Sequence, residues 1–180
     1  MDVTAPARVA MDRSRVLFSA SEVAAAYDVL AQQIAAKLAN TNPVVVAAMT
    51  GGMVTAVELL KRFTFPCELD YVHTTRYGDS LKGGALQWIR EPSASLSGRH
   101  VLLVDDILDE GVTIKALRKR LQAAAVASLH AAVLVSRQSE HRHVEADFAG
   151  LQMQAGYVFG CGMDYRGHWR GLADIRVVED

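Results

Sequence analysis

Val101-Leu102-Leu103-Val104-Asp105-Asp106-Ile107-Leu108-Asp109-Glu110-Gly111-Val112-Thr113 passes from an apolar run into a pair of acids, then through two apolar residues to more acid, a glycine and a threonine. A Val- and Leu-rich run bounded by polar residues reads as a strand buried on both faces of a parallel sheet. In open α/β sheets ligands bind beyond the carboxyl ends of the strands, so Asp105 and Asp106 are expected at the mouth of a crevice. Downstream, Gly111 permits a tight turn and Thr113 can cap, while Ile114, Leu117 and Leu121 have helical spacing. The helix N-terminus favours an anion, most commonly phosphate. The acid pair suits sugar hydroxyls or a hydrated Mg²⁺, and three acids at a buried strand end repel one another without such partners.

Working outward, the rest of the chain alternates in the same way. Ser19-Ala20-Ser21-Glu22 matches a capping box, and Val23, Tyr27, Leu30, Ile34 and Leu38 continue it as an amphipathic helix. Val44 to Ala48 reads as a buried strand. Met49-Thr50-Gly51-Gly52 then turns into a helix carrying Met53, Val57 and Leu60, a second strand, loop and helix where backbone amides can approach an oxyanion. Cys67 to His73 and Ala85 to Arg90 have strand character, and the polar, glycine-bearing stretch 74–84 between them has the composition of a mobile lid. Ser128 to Val135 is the next strand, with Ser136-Arg137-Gln138 at its carboxyl end facing the same crevice. Ala146 to Leu151 is a further short strand. His130 lies inside an apolar run and reads as a packed core histidine, and His141-Arg142-His143 reads as a solvated turn rather than a metal site.

Bulk properties narrow the class. At 180 residues and 51% hydrophobic, the chain is expected to form one domain over 1–180 with a full core, its residues 1–15 a flexible arm. A net charge of −1 and a pI near 6.6 argue against a nucleic-acid or lipid footprint. Cys67 and Cys161 form no Cys-x-x-Cys, so a reduced cytoplasm fits better than a disulfide framework. The most apolar segments are short for a bilayer and interrupted by polar residues, so no membrane span is expected.

The string from Val101 to Thr113 resembles the phosphoribosyl-pyrophosphate loop of type I phosphoribosyltransferases, most closely that of the hypoxanthine-guanine enzymes, and the resemblance extends over about 43–178. It implies a Rossmann-like α/β fold, a parallel sheet flanked by helices, with a small hood made from the terminal segments. It also implies transfer of 5-phosphoribosyl to N9 of a 6-oxopurine, with Mg²⁺ as cofactor. Asp105 and Asp106 would then meet the ribose hydroxyls, and Asp109 would lie near purine N7 as general base or acid. The backbone from Glu110 through Gly111 and Val112 to Thr113 would hold the 5′-phosphate. Thr50, Gly51 and Gly52 would hold pyrophosphate, with a cis peptide before the glycines. Tyr77 would cover the pyrophosphate from the lid, where Arg76 departs from the family's Ser-Tyr pair. Tyr157 would stack on the base and Val158 read its edge. Asp164, with Asp105 and Asp106, would hold Mg²⁺ on the purine side, and Arg170 would bind pyrophosphate. The family reads O6 of the base with a Lys; this chain has Ser136-Arg137 there, and Arg137 is the expected replacement. Small-molecule substrates, a homodimer or homotetramer, and neither nucleic acid nor membrane complete the expectation. A different base and a non-catalytic phosphoribosyl-pyrophosphate sensor are the rival readings.

Overall fold

The computed structural model describes residues 4–76 and 86–179. Its core is a six-stranded sheet in the order β4-β3-β2-β5-β6-β7, made of β2 (Val44–Met49), β3 (Glu68–Arg76), β4 (Leu86–Arg90), β5 (His100–Leu108), β6 (Ser128–Arg137) and β7 (Phe148–Met153). All neighbours pair in parallel except β3 and β4, which are antiparallel. β5 is therefore an interior strand, and Val101 to Val104 are fully buried. Alternation sends Leu102 and Val104 to one face and Val101 and Leu103 to the other, each into its own apolar cluster.

Helices cover both faces. On the first, α2 (Ala20–Leu38) buries Leu30, Ile34 and Leu38 beside α3 (Gly52–Leu60), and each such side chain contributes about 1.5–3 kcal/mol. The capping box is present in full: Ser19 Oγ accepts from the Glu22 amide and Glu22 reaches back to the Ser19 amide. On the second face, α4 (Val112–Gln122) buries Ile114, Leu117 and Leu121 at the expected spacing. A separate antiparallel sheet, β1-β9-β8, joins the two ends of the chain: β1 (Ser14–Phe18), β8 (Val158–Phe159) and β9 (Ile175–Val178). This is the hood.

Several details differ from the sequence reading. The segment 1–15 was expected as a flexible arm, but from Ala5 to Asp12 it is helix α1, with Ala7 and Ala10 buried, and Ser14 already pairs with Val178. Small residues, not large ones, make its buried face, so it lacks a strong apolar stripe. In α3, Met53 and Val57 are exposed and the buried positions are Gly52, Thr55, Ala56 and Leu59, because the helix lies so close to β5 that only small side chains and one leucine fit. Thr113 does not cap α4; Gly111 holds that position in a left-handed conformation, φ 82°. The expected lid over 74–84 is described only to Arg76, where it continues β3, and Tyr77 lies outside the described residues. His130 is partly buried, with Phe148 beside it and Asp147 as its partner at 3.3 Å.

Candidate active site

The carboxyl ends of β2, β5 and β6 open into a cavity of about 380 Å³, and β8 and the segment after it close its far side. Asp105 and Asp106 form its floor. Each of these two carboxylates accepts from the next backbone amide: Asp105 from Asp106 at 3.0 Å, Asp106 from Ile107 at 2.7 Å. Burial, joined for Asp105 by the neighbouring Asp106 charge, raises both carboxyls above the usual carboxylate range. Arg170 works against that rise in both. The floor thus holds two acids whose charge calls for a compensating ligand.

Backbone crowds this floor. A Cβ on Gly52 would lie 2.5 Å from the Val104 carbonyl oxygen, and one on Gly51 would lie 1.9 Å from Asp106 Oδ2. Gly162, at φ 104°, approaches from the hood side, where a Cβ would lie 2.4 Å from the Gly51 carbonyl oxygen. Loop, strand end and hood segment meet where only glycine fits. The peptide between Met49 and Thr50 is cis, at the expected place before the glycines. Both Thr50 and Gly51 line the cavity; Gly52 lies behind it, against β5.

Adjoining the first cavity, a second of about 390 Å³ is lined without interruption from Asp105 to Ile114, including Asp109, Glu110, Gly111, Val112 and Thr113. The Glu110 carbonyl accepts from the His143 amide at 2.8 Å, which ties this loop to the segment after β6. A pocket wrapped by backbone at the N-terminus of α4 is suited to an anion.

At the other end of the first cavity stand Arg137, Tyr157 and Val158. Arg137 donates to the Gly156 carbonyl at 2.9 Å and pairs with Asp109 Oδ2 at 3.3 Å, while its Nε is buried without a hydrogen-bond partner. Ser136 does not line the cavity. It is buried and accepts from Arg142 at 2.9 Å, and Arg142 also reaches the Arg137 carbonyl. Tyr157 is exposed, with Tyr165 edge-on to it at 5.4 Å and its hydroxyl donating to the Asp164 carbonyl at 3.0 Å. Asp164 is held by Arg170 at 2.5 Å and by the Gly167 amide at 2.5 Å, and Arg170 also donates to the Gly162 carbonyl at 2.6 Å.

Asp105, Asp106 and Asp164 all line the cavity, yet among the described residues no three His, Cys, Asp or Glu side chains converge as a metal cage. That donor set still fits Mg²⁺, which is commonly held by one or two carboxylates with substrate oxygens and water completing the shell. Thr74, the first residue of the expected lid, lines the same cavity, as does Met163, which was not anticipated although it follows the Gly160-Cys161-Gly162 turn.

Over residues 17–166 the chain matches the phosphoribosyl transferase domain. It is 30% identical over 171 residues to the hypoxanthine-guanine phosphoribosyltransferase of Streptococcus pneumoniae, covering 94% of this chain and 95% of the relative. Identity to the hypoxanthine-guanine-xanthine phosphoribosyltransferase of Tritrichomonas foetus is 29%, covering 94% of this chain and 93% of the relative. The fold superimposes on a crystal structure of a Staphylococcus aureus hypoxanthine phosphoribosyltransferase with a TM-score of 0.88 at 25% identity, covering 95% of each chain.

Proposed function

The chain belongs to the phosphoribosyltransferase family, and from that premise we propose that it salvages purines by transferring 5-phosphoribosyl from phosphoribosyl pyrophosphate to hypoxanthine or guanine, releasing pyrophosphate. The observation that carries this reading is the shape of the paired cavities. A buried acid pair lies between an anion pocket at a helix N-terminus, a glycine loop with an arginine opposite it, and a compartment flanked by an aromatic ring and a guanidinium. A phosphorylated, activated sugar and a planar base have complementary chemistry.

In this reading the reaction is limited by charge separation: positive charge grows at C1 of the ribose while negative charge grows on the departing pyrophosphate. Asp105 and Asp106 hold the ribose hydroxyls and stand near the growing positive charge. The 5′-phosphate is held at Glu110 to Thr113. Thr50, Gly51, Gly52 and Arg170 receive the pyrophosphate, with Tyr77 covering it. Tyr157 stacks on the purine and Val158 meets its edge. Asp109 exchanges a proton at N7 as N9 bonds to C1. Mg²⁺, held by Asp164 with Asp105 and Asp106 and by substrate oxygens, would supply charge compensation to the diphosphate. Arg137 donates to O6 and meets the amino group of adenine with donors only, which favours 6-oxopurines.

The reading extends to a cytoplasmic homodimer or homotetramer. The oligomer has the support of an apolar surface: Leu69 pairs in register with Val45, so it lies on the α3 side of the sheet, and Leu69, Met53 and Val57 are all exposed. Sedimentation of the purified chain tests that part. The central test is pyrophosphate release from phosphoribosyl pyrophosphate with each base in turn, with and without Mg²⁺. Hypoxanthine and guanine should be consumed in the presence of the metal and adenine should not. Equal use of adenine would remove the O6 assignment, and no turnover with any base would leave a sensor.

A further inference from the structure

Helix α1 contributes no residue to the cavity, but it is bonded to the segment that does. Trp169 Nε1–H donates to the Ala7 carbonyl at 2.8 Å, across 162 positions of sequence. Ala7 and Ala10, one turn apart, form the buried face of α1, and the helix is anchored at its far end by β1 pairing with β9 and by the Glu179 amide donating to the Arg13 carbonyl at 2.8 Å. Trp169 immediately precedes Arg170. Its backbone is at φ 70°, in the left-handed region that a bulky side chain rarely adopts unless its surroundings hold it there. Those surroundings are not closely packed: a cavity of about 380 Å³ lies among Thr4, Ala7, Arg8, His168 and Trp169. The indole bond and the Leu172 amide, which donates to the Trp169 carbonyl at 3.3 Å, both hold Trp169 in place. From Trp169 the chain enters Arg170, whose carbonyl accepts from the Gly162 amide at 2.9 Å while its guanidinium grips the Gly162 carbonyl and Asp164.

We propose that α1 and Trp169 form a clasp that positions Arg170 for the diphosphate end of the substrate. The inference rests on the reading of Arg170 as a pyrophosphate-binding residue. Trp169 touches no substrate in this scheme; it acts through the backbone of the next residue.

The test uses the full chain with Trp169→Phe, which keeps the ring and loses the donor, Ala10→Asp, which puts a charge on the buried face of α1, the double variant, and Arg170→Ala. Trp169→Phe should raise KM for phosphoribosyl pyrophosphate and the inhibition constant for pyrophosphate together, by about three- to tenfold, the weight of one neutral hydrogen bond. KM for the base should stay within about twofold, a split that general loss of stability would not give. The two single changes break the same clasp, so the double variant should be no worse than Ala10→Asp alone. If Arg170→Ala weakens both diphosphate ligands while Trp169→Phe and Ala10→Asp do not, or if the single effects multiply, the clasp is overturned. If Arg170→Ala leaves both ligands unaffected, the reading of Arg170 fails and the inference with it.

Discussion

Gly162→Ala tests the packing that brings the hood to the floor of the cavity. An L-residue at φ 104° is strained, at a cost of about 1–2 kcal/mol. The new Cβ would also lie 2.4 Å from the Gly51 carbonyl oxygen and 3.0 Å from Asp106 Cβ, and backbone on both sides must shift to admit it. Overpacking of that kind adds about 1–3 kcal/mol, for a total of about 2–5 kcal/mol. In a chain of this size each kcal/mol moves the unfolding midpoint by about 2–4 °C, so a fall of about 4–20 °C is expected. The relief should displace Gly51 and, on the proposed function, raise KM for phosphoribosyl pyrophosphate. Two other glycines separate the contributions. Gly167, at φ 85° with nothing within 4 Å of its Cβ position, should show strain alone when changed to Ala. Gly51 has an ordinary φ of −64°, and its Cβ would lie 1.9 Å from Asp106 Oδ2 and 2.4 Å from its Cγ, so Gly51→Ala should show overpacking without backbone strain, about 1–3 kcal/mol, together with weaker binding. Thermal unfolding and steady-state kinetics on the three variants give both readouts. A Gly162→Ala protein with an unchanged midpoint and unchanged KM would refute the close approach.

Arg137→Ala should raise KM for the base about ten- to a hundredfold, the weight of a charge-assisted hydrogen bond, with KM for phosphoribosyl pyrophosphate nearly unchanged; an unchanged base KM would exclude Arg137 as the reader of O6. Asp109→Asn should bind both substrates and lose about 10² to 10⁴ in turnover, and near-normal turnover would remove Asp109 as the proton-transfer group. Asp105→Asn should be more stable than the parent at neutral pH. A carboxyl raised by burial holds its proton more tightly in the folded state, so stability is full below the ordinary carboxylate pKa and falls as pH climbs through the raised one. The amide removes that loss, so its advantage should be clear at pH 7.5 and vanish near pH 3.5; an advantage of equal size at both would point to packing instead.

The central strand was legible because burial on both faces leaves an uninterrupted Val-Leu run, and the strand ends followed from its neighbours. The acid pair, the anion loop and the glycine turn before α3 were legible for the same reason: each is a contiguous string with a local cause. What escaped was non-local or made of small residues. Ala7 and Ala10 bury a helix face without looking apolar enough to predict it, and the exposed Met53 and Val57 looked like a core stripe because nothing in the local pattern reports how near β5 lies. Ser136 and Arg137 are adjacent, and only the way Arg142 folds back onto the buried serine separates their roles.

The hood sheet also bears on how the protein is made. β1, at residues 14–18, leaves the ribosome early, but its partner β9 spans 175–178, and β8, which continues from Tyr157 and carries Val158, pairs among the described residues only with that same late strand. Synthesis proceeds at about 5–20 residues per second, so the early strand waits for several seconds or more with an unpaired edge. Closing so long a loop adds only a logarithmic entropy cost, but nothing can close it before the last strand emerges. The six-stranded sheet can assemble first, with Asp105, Asp106 and the loop before α4 in place, while the wall bearing Val158 forms last. That wall is therefore the youngest part of the molecule, and on the proposed function a nascent chain stalled before Ile175 should have a folded sheet and no binding of the base.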